Sequence, residues 1–168
     1  MSLAYFKPEF HSLRKPHPIF WTAGPNPYEV SKAIVQCKML SGRYRTELLT
    51  SHWSKNKLGF CLTSTCTCIK ESIEHILLWC PSYQPVRDKL KNLWLSCTHP
   101  LITDLLRTVL NGPALDLVQF ILDASVHPKV ITLGQNFGDE PVKIIFHLTR
   151  TWCFALHKER AKILQRWV

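Results

Sequence analysis

Four cysteines and a histidine within residues 59–81 have the side chains that bind transition metals. Cys61, Cys66, His75 and Cys80 form the pattern C-x4-C-x8-H-x4-C. Three thiolates and one imidazole complete the tetrahedral shell of a structural zinc ion and leave no position open for water. The spacing therefore predicts one zinc ion bound by these four residues. Iron is disfavoured, because nothing in the chain resembles a redox-partner site.

The remaining cysteine of this stretch, Cys68, leaves two alternatives open. It could replace Cys66 as a ligand, because C-x6-C from Cys61 is also a workable spacing. Alternatively, all four thiols could be small buried side chains of a reduced protein, since free cysteine is often buried. The close clustering of ligand types favours the metal, with Cys66 as the ligand and Cys68 as a spare thiol.

Two short elements must position these ligands. A polar turn at residues 63–65 would bring the first two thiols together. A helix predicted over residues 71–79, and ended by Pro81, would carry His75 within it and Cys80 at its end. The pattern thus predicts a small zinc-stabilised turn–helix insert, a zinc knuckle of the CCHC type.

The rest of the chain has the patterning of a helical protein. Of its 168 residues, 46% are apolar, which is enough for a core. Residues 1–27 are rich in proline and aromatic residues and predict an extended arm. Residues 28–98 would hold basic helices and the CCHC region, and residues 99–168 a C-terminal helical part ending in a long basic amphipathic helix. We therefore predict a mainly α fold with one zinc-stabilised insert.

Apolar residues at helical spacing predict which side of three helices is buried. In the helix that Asn26 caps and Pro27 begins, the predicted inward residues are Val30, Ala33, Ile34, Cys37 and Leu40. In the helix over residues 83–95 they are Val86, Leu90, Leu93 and Trp94, with Arg87, Lys89 and Lys91 outward. Over residues 141–167 they are Ile145, Leu148, Trp152, Leu156, Ile163 and Trp167, with Lys143, Arg150, Lys158 and Lys162 opposite.

The formal net charge of +9 favours an acidic partner, and nucleic acid is the commonest one. A basic but merely solvated surface is the alternative. The charge is uneven. Residues 28–57 hold six lysines and arginines against two acidic side chains, whereas residues 99–142 hold Arg107 and Lys129 against five acidic side chains. The acidic central part should therefore face away from any nucleic acid.

Two arginines flanking a tyrosine suit phosphates and a stacked base, because guanidinium groups pair with phosphate and aromatic rings stack on bases. The opposing interpretation is that Arg45 pairs with Glu47 or a neighbouring carboxylate and that Tyr44 packs inside. The predicted nucleic-acid contacts are Arg43, Tyr44, Arg45, Lys55 and Lys57, followed by Arg87 and Lys91 and then the basic side of the last helix.

A series of short motifs, in this order along the chain, resembles the region downstream of the polymerase in non-LTR (LINE-type) retrotransposon polyproteins. The central motifs are MLSGRYRTE at 39–47, HWS at 52–54, GFC at 59–61, EHILL at 74–78 and CP at 80–81. Weaker matches flank them at 20–24, 27–30, 148–152 and 166–167. The resemblance implies a C-terminal zinc-knuckle part of an endonuclease–reverse transcriptase. Such a part would help hold template RNA or target DNA, and it could contact the upstream polymerase domain.

The chain has no pattern of catalytic residues. A polymerase needs paired metal-binding aspartates, and no Asp-Asp pair occurs. A nuclease-like E-x-x-K echo at residues 140–143 lacks an upstream partner, whereas metal-assisted hydrolysis needs several convergent carboxylates. We therefore expect a binding protein without enzymatic activity. The alternatives are a zinc-clamped helical scaffold that docks on the polymerase, or an inactive remnant.

Cysteine usage and hydropathy bear on the compartment. Seven cysteines without a signal-peptide pattern predict a reducing intracellular location, the nucleus or the cytoplasm or both. No apolar run reaches the length of a membrane span, so we expect no membrane partner.

Overall fold

The computed structural model describes residues 5–7, 16–52, 58–66 and 69–165, and most of these residues are helical. The predicted mainly α fold is thereby confirmed. The α-helices are α1 (Pro18–Trp21), α2 (Pro27–Leu40), α3 (Glu47–Ser51), α4 (Gln84–Leu95), α5 (Pro100–Leu110), α6 (Ala114–Leu122), α7 (Pro128–Phe137) and α8 (Asp139–Ile163). A π-helical turn covers His75–Trp79, and 3₁₀ turns cover Pro81–Tyr83 and Ala124–Val126.

Local capping explains where the first helices begin and end. The side chain of Asn26 accepts a hydrogen bond from the backbone N–H of Tyr28 at 2.9 Å, and Pro27 occupies the first position of α2. Thr46 caps α3 in the same way, by accepting from the N–H of Leu49 at 3.0 Å. Gly42 has a φ of +67° and turns the chain away after α2. These sequence signals are confirmed because each acts over only a few residues.

The long helix α8 lies at the centre of the fold and packs against α2, α4, α6 and α7. Its Trp152 is fully buried, with the ring centroid 4.7 Å from that of Trp94 on α4. Phe120 of α6 lies against the same Trp94 ring, at 6.0 Å between centroids. Large aromatic side chains from three helices therefore meet in one core. None of the helices in the described ranges is long and apolar enough to cross a membrane.

The buried face of α2 differs from the predicted one. Ile34 is 43% exposed, whereas Lys32 and Gln36 are buried. The Gln36 amide donates to the carbonyl of Ile121 at 2.7 Å, and the Lys32 ammonium lies 2.6 Å from Glu29. Polar side chains are buried here because their partners are present in the fold, which periodicity alone does not reveal.

Two predicted outward arginines are also buried. Arg87 on α4 is 2% exposed and Arg150 on α8 is 1% exposed. Arg150 pairs with Glu29 at 3.3 Å, so its charge is compensated inside the protein. Conversely, Leu93 and Ile163, which we expected inside, are 43% and 38% exposed. The helix α8 ends at Ile163, and the predicted inward Trp167 lies outside the described residues.

The described parts of the predicted arm pack against the helical body. The hydroxyl of Tyr5 donates to Glu74 at 2.6 Å, and Gln119 of α6 donates to the Tyr5 carbonyl at 3.0 Å. Ile19 in α1 is 1% exposed. The arm is thus not wholly extended, since it contains one short helix whose apolar side is buried.

Candidate metal centre

The four predicted ligands converge in the structure. One donor atom from each of Cys61, Cys66, His75 and Cys80 lies within 4.8 Å of every other, and all four residues are buried. The Sγ atoms of Cys61 and Cys66 are 3.9 and 3.6 Å from that of Cys80, and Nε2 of His75 is 3.4 Å from Sγ of Cys66. A disulfide would need about 2.05 Å between sulfurs, so these thiols are free. The cluster could hold a metal ion.

A short hairpin positions the first two cysteines. The N–H of Cys61 donates to the carbonyl of Ile69 at 2.8 Å, and an antiparallel bridge joins Phe60 to Lys70. The predicted polar turn is present, because the N–H of Cys66 donates to the carbonyl of Thr63 at 3.0 Å. The alternative ligand Cys68 lies outside the described residues.

Gly59 allows the hairpin to approach α3. Its φ is +75°, and a Cβ at this position would lie 2.8 Å from Oγ of Ser51 and 3.1 Å from Cα of Leu48. Any other residue would both strain the backbone and collide with the helix. Glycine is therefore required here to place the cysteine that follows two residues later.

A π-helical turn positions the other two ligands. The N–H of Cys80 donates to the carbonyl of His75 at 2.7 Å, which closes one turn over five residues. In an α-helix, residues five apart would differ in direction by about 140°. The wider turn instead brings the His75 and Cys80 side chains to the same side. The predicted helix over residues 71–79 is accordingly shorter, since regular helical geometry begins at Ile73.

Glu71 does not belong to that helix and has a different role. Its carboxylate is fully buried and accepts two hydrogen bonds from Arg160 of α8, at 3.0 and 2.7 Å. It also accepts from the backbone N–H of Glu47 at 2.7 Å. These bonds attach the stretch that carries the metal ligands to α3 and α8. Sequence analysis did not identify this pair, because its members are separated by 89 residues and neither has a local signature.

Arg87 provides a second attachment. Its guanidinium donates to the carbonyl of Cys80 at 2.6 Å and to the side chain of Gln84 at 2.7 Å. The expected outward placement of Arg87 is wrong, because its side chain is buried and donates to the backbone of a residue of the cluster.

The surroundings change the pKa values of the ligands. Burial raises the pKa of the Cys61 thiol to about 12. Burial also acts to raise the pKa of Cys66, but hydrogen bonds from Thr63 and the neighbouring thiols outweigh it and lower the value. Burial lowers the pKa of His75, which favours the neutral form of its imidazole. Neutral imidazole and thiolate are the forms that bind metals, so a metal would compete with protons at the thiols.

The predicted nucleic-acid contacts at residues 43–45 differ in their exposure to solvent. Arg43 and Arg45 are exposed, whereas Tyr44 between them is 6% exposed. The Tyr44 hydroxyl lies 2.9 Å from Nδ1 of His157 on α8. The expectation that Tyr44 offers a free ring to a base is therefore wrong, since the ring packs inside. The opposing interpretation is confirmed for Tyr44, whereas its ion pair of Arg45 with Glu47 is not among the interactions between described residues.

The remaining predicted contacts differ in how far the structure exposes them. Lys91 is half-buried on α4. Lys55 and Lys57 lie outside the described residues. On the last helix Lys143, Lys158 and Lys162 are exposed, but Arg150 is not. Among the described residues that were predicted as contacts, the exposed cations are thus Arg43 and Arg45 together with lysines of α8.

Comparison with known proteins found no matching family model, no matching curated protein and no matching solved structure.

Proposed function

We propose that this protein is a non-catalytic nucleic-acid-binding module, stabilised by a zinc ion, that serves the reverse transcription of a non-LTR retrotransposon. The observation that carries the proposal is the buried cluster of Cys61, Cys66, His75 and Cys80. A buried cluster of three thiols and one imidazole is typical of zinc-stabilised binding modules and not of enzymes with an open metal position.

The separations of the donor atoms fit zinc. Zinc–sulfur bonds of about 2.3 Å give a tetrahedron with sulfur–sulfur edges of about 3.8 Å. The distances from Cys80 to Cys61 and Cys66, 3.9 and 3.6 Å, lie on either side of that value. Zinc would here supply folding free energy, because it would join the hairpin to the π-helical turn through these ligands.

The nucleic-acid part of the proposal is supported by charge. Arg43 and Arg45 are exposed, and neither forms an ion pair with a carboxylate of the described residues. Two exposed guanidinium groups on one short loop, in a chain with a net charge of +9, suit a phosphate backbone. The resemblance to the retrotransposon region supports RNA or target DNA as the ligand.

Two measurements on the purified full chain test the proposal. Native mass spectrometry under reducing conditions should find one zinc ion per chain. Fluorescence anisotropy should then show binding of single-stranded RNA, single-stranded DNA or duplex DNA that weakens as salt is raised. A purified, folded chain that carries no zinc would refute the zinc site. A zinc-loaded chain that binds no polynucleotide would refute the nucleic-acid function.

A second candidate function is protein docking, and exposed apolar side chains favour it. Leu58, Leu62, Ile69 and Trp79 belong to the stretch that carries the metal ligands, and each is at least 47% exposed. Such residues are typical of protein contact sites. In this case the zinc would clamp a scaffold that binds the polymerase domain. Co-elution with that domain, lost in a Leu62→Ser, Trp79→Ser variant, would support this alternative.

A further inference from the structure

A cleft of about 270 Å³ opens beside α8, and none of the four candidate metal ligands lines it. Tyr28 and Lys32 from α2 and Val86 from α4 form two of its sides, and α8 forms the floor. The residues of α8 that line it are Thr151, Phe154, Ala155, Lys158, Glu159 and Lys162. The cleft thus combines two aromatic rings with three ammonium groups and a single carboxylate.

The aromatic side of the cleft is accessible and held in place. Tyr28 is 54% exposed, although it lies at the beginning of a packed helix. Its ring meets that of Phe154 edge to face, with 5.5 Å between centroids. The ammonium of Lys32 lies 4.6 Å from the centre of the Tyr28 ring, and Glu29 holds that ammonium at 2.6 Å. An exposed ring fixed by two neighbours is a preorganised platform for stacking, with little side-chain entropy left to lose.

The cationic side of the cleft has more ammonium groups than carboxylates. The ammonium of Lys158 lies 5.9 Å from the centre of the Phe154 ring and forms no ion pair with any described carboxylate. Lys162, one turn further along α8, has a side chain that is 69% exposed and lies 3.3 Å from Glu159. Such an exposed pair is weak and can exchange its partner for a phosphate. Two ammonium groups therefore flank the aromatic platform.

We propose that this cleft binds one nucleotide of a single-stranded nucleic acid, with the base stacked on Tyr28 and a phosphate between Lys158 and Lys162. Stacking platforms beside cationic side chains are the usual means of binding single strands, whereas the bases of a duplex are already stacked on one another. The inference rests on the proposed function and deepens it. It gives to Tyr28 the stacking role that Tyr44, being buried, does not have.

The test is an anisotropy titration of the zinc-loaded full chain with a fluorescent single-stranded RNA and with the corresponding single-stranded DNA and duplex. Tyr28→Ala should weaken binding of either single strand by about 5- to 100-fold and leave the duplex nearly unchanged. Tyr28→Phe should bind like the wild type, because the ring remains. Phe137→Ala is the matched control, since Phe137 is 57% exposed on α7.

Removing the charges of Lys158 and Lys162 tests the phosphate contact. A Lys158→Ala, Lys162→Ala variant should weaken binding of every ligand and lower the slope of log affinity against log salt by about one to two units. Arg107→Ala with Lys129→Ala, two exposed cations outside the cleft, should change neither quantity. Circular dichroism and zinc content should match the wild type in all variants, because every substituted side chain is exposed.

The outcomes separate the two proposals. If the Tyr28 and lysine variants bind like the wild type while Arg43→Ala with Arg45→Ala loses binding, the cleft is refuted and the nucleic-acid function stands. If the zinc-loaded wild type binds no polynucleotide, both are refuted. If Tyr28→Ala weakens single strands and duplex equally, the stacking role is refuted.

Discussion

Each metal-binding candidate owes its position to a hydrogen bond made by its own backbone. The N–H groups of Cys61, Cys66 and Cys80 donate to carbonyls of the same lobe, residues 58–80, and that of His75 donates to the hydroxyl of Ser72 at 3.2 Å. The donor atoms are thus brought together by a local network of the backbone. Their side chains together could hold a metal ion.

The first prediction at this scale concerns zinc content. Cys80→Ser should lose the zinc ion, because a hydroxyl is a poor substitute for a thiolate. Cys97→Ser should keep it, since Cys97 is a half-buried cysteine outside the cluster. Cys68→Ser should also keep it. Native mass spectrometry of the three variants provides the measurement. Loss of zinc from Cys68→Ser together with its retention in Cys66→Ser would show that the ligand set is wrong.

A second prediction concerns His157, whose imidazole is half-buried beside Tyr44. Burial, together with Arg160 and Lys38, lowers the pKa of His157. The unfolded chain, in which histidine titrates near about 6.5, then binds the proton more readily than the folded chain. The free energy of unfolding should therefore decrease as the pH falls from above about 6.5 toward the lower folded-state pKa.

Urea unfolding between pH 8 and pH 5, at constant excess zinc, measures this dependence. His157→Gln should flatten it, because glutamine does not titrate. His52→Gln, at an exposed position, is the matched control. An unchanged slope in His157→Gln would contradict the assignment.

At the scale of elements, the buried ion pair of Arg160 and Glu71 joins α8 to the lobe that carries the metal ligands. Arg160→Ala would leave the Glu71 carboxylate buried without its cation, which should lower the free energy of unfolding by about 3–5 kcal/mol. Lys162→Ala breaks the exposed pair with Glu159 on the same helix and should cost less than about 1 kcal/mol.

Urea unfolding of the zinc-loaded protein at pH 7 compares the two variants. A similar small cost for both would mean that the buried pair does not hold the lobe. Replacing Arg160 and Glu71 together by methionine should restore part of the stability, because the Glu71 carboxylate is then removed together with its cation. The restoration is incomplete because the buried Glu47 also loses the Arg160 guanidinium, which lies 3.8 Å from its carboxylate.

At the scale of the whole molecule, the positive charge is concentrated and not spread evenly. Arg43 and Arg45 are exposed on the loop after α2, while three other arginines, Arg87, Arg150 and Arg160, are buried. The formal net charge therefore overstates the number of cationic side chains that are exposed to solvent. Phosphate contacts must come from a smaller set than the composition alone indicates.

The prediction at this scale is a salt dependence. Log affinity for a polynucleotide should fall linearly with log salt, with a slope of roughly 0.7 to 0.9 per phosphate contact. Arg43→Ala with Arg45→Ala should reduce the slope by about one to two units for any ligand sequence. Lys129→Ala, in the acidic central part, should leave it unchanged. If the arginine variant has the same slope of log affinity against log salt as the wild type, the loop of Arg43 and Arg45 does not belong to the contact surface.

Much of this protein was determined by its sequence because the responsible forces act locally. The ends of α2 follow from Asn26, Pro27 and Gly42, since a cap or a turn involves neighbouring residues only. The four ligand types and their spacing also identified the cluster that the structure brings together. A helix-like segment containing His75 could be predicted, although its π-helical geometry could not.

Only the tertiary structure decided which charged and aromatic side chains face the solvent. Arg160 is buried because Glu71 lies opposite it, 89 residues away, and Arg150 because Glu29 does, at a separation of 121 residues. Helical periodicity assigns a charged residue to the outside by default, since burying an unpaired charge is costly. That default fails where a distant element supplies the opposite charge. The same reasoning separates Tyr44 from Tyr28: the first is covered by α8, whereas the second lies at the edge of a cleft in which α8 is the floor.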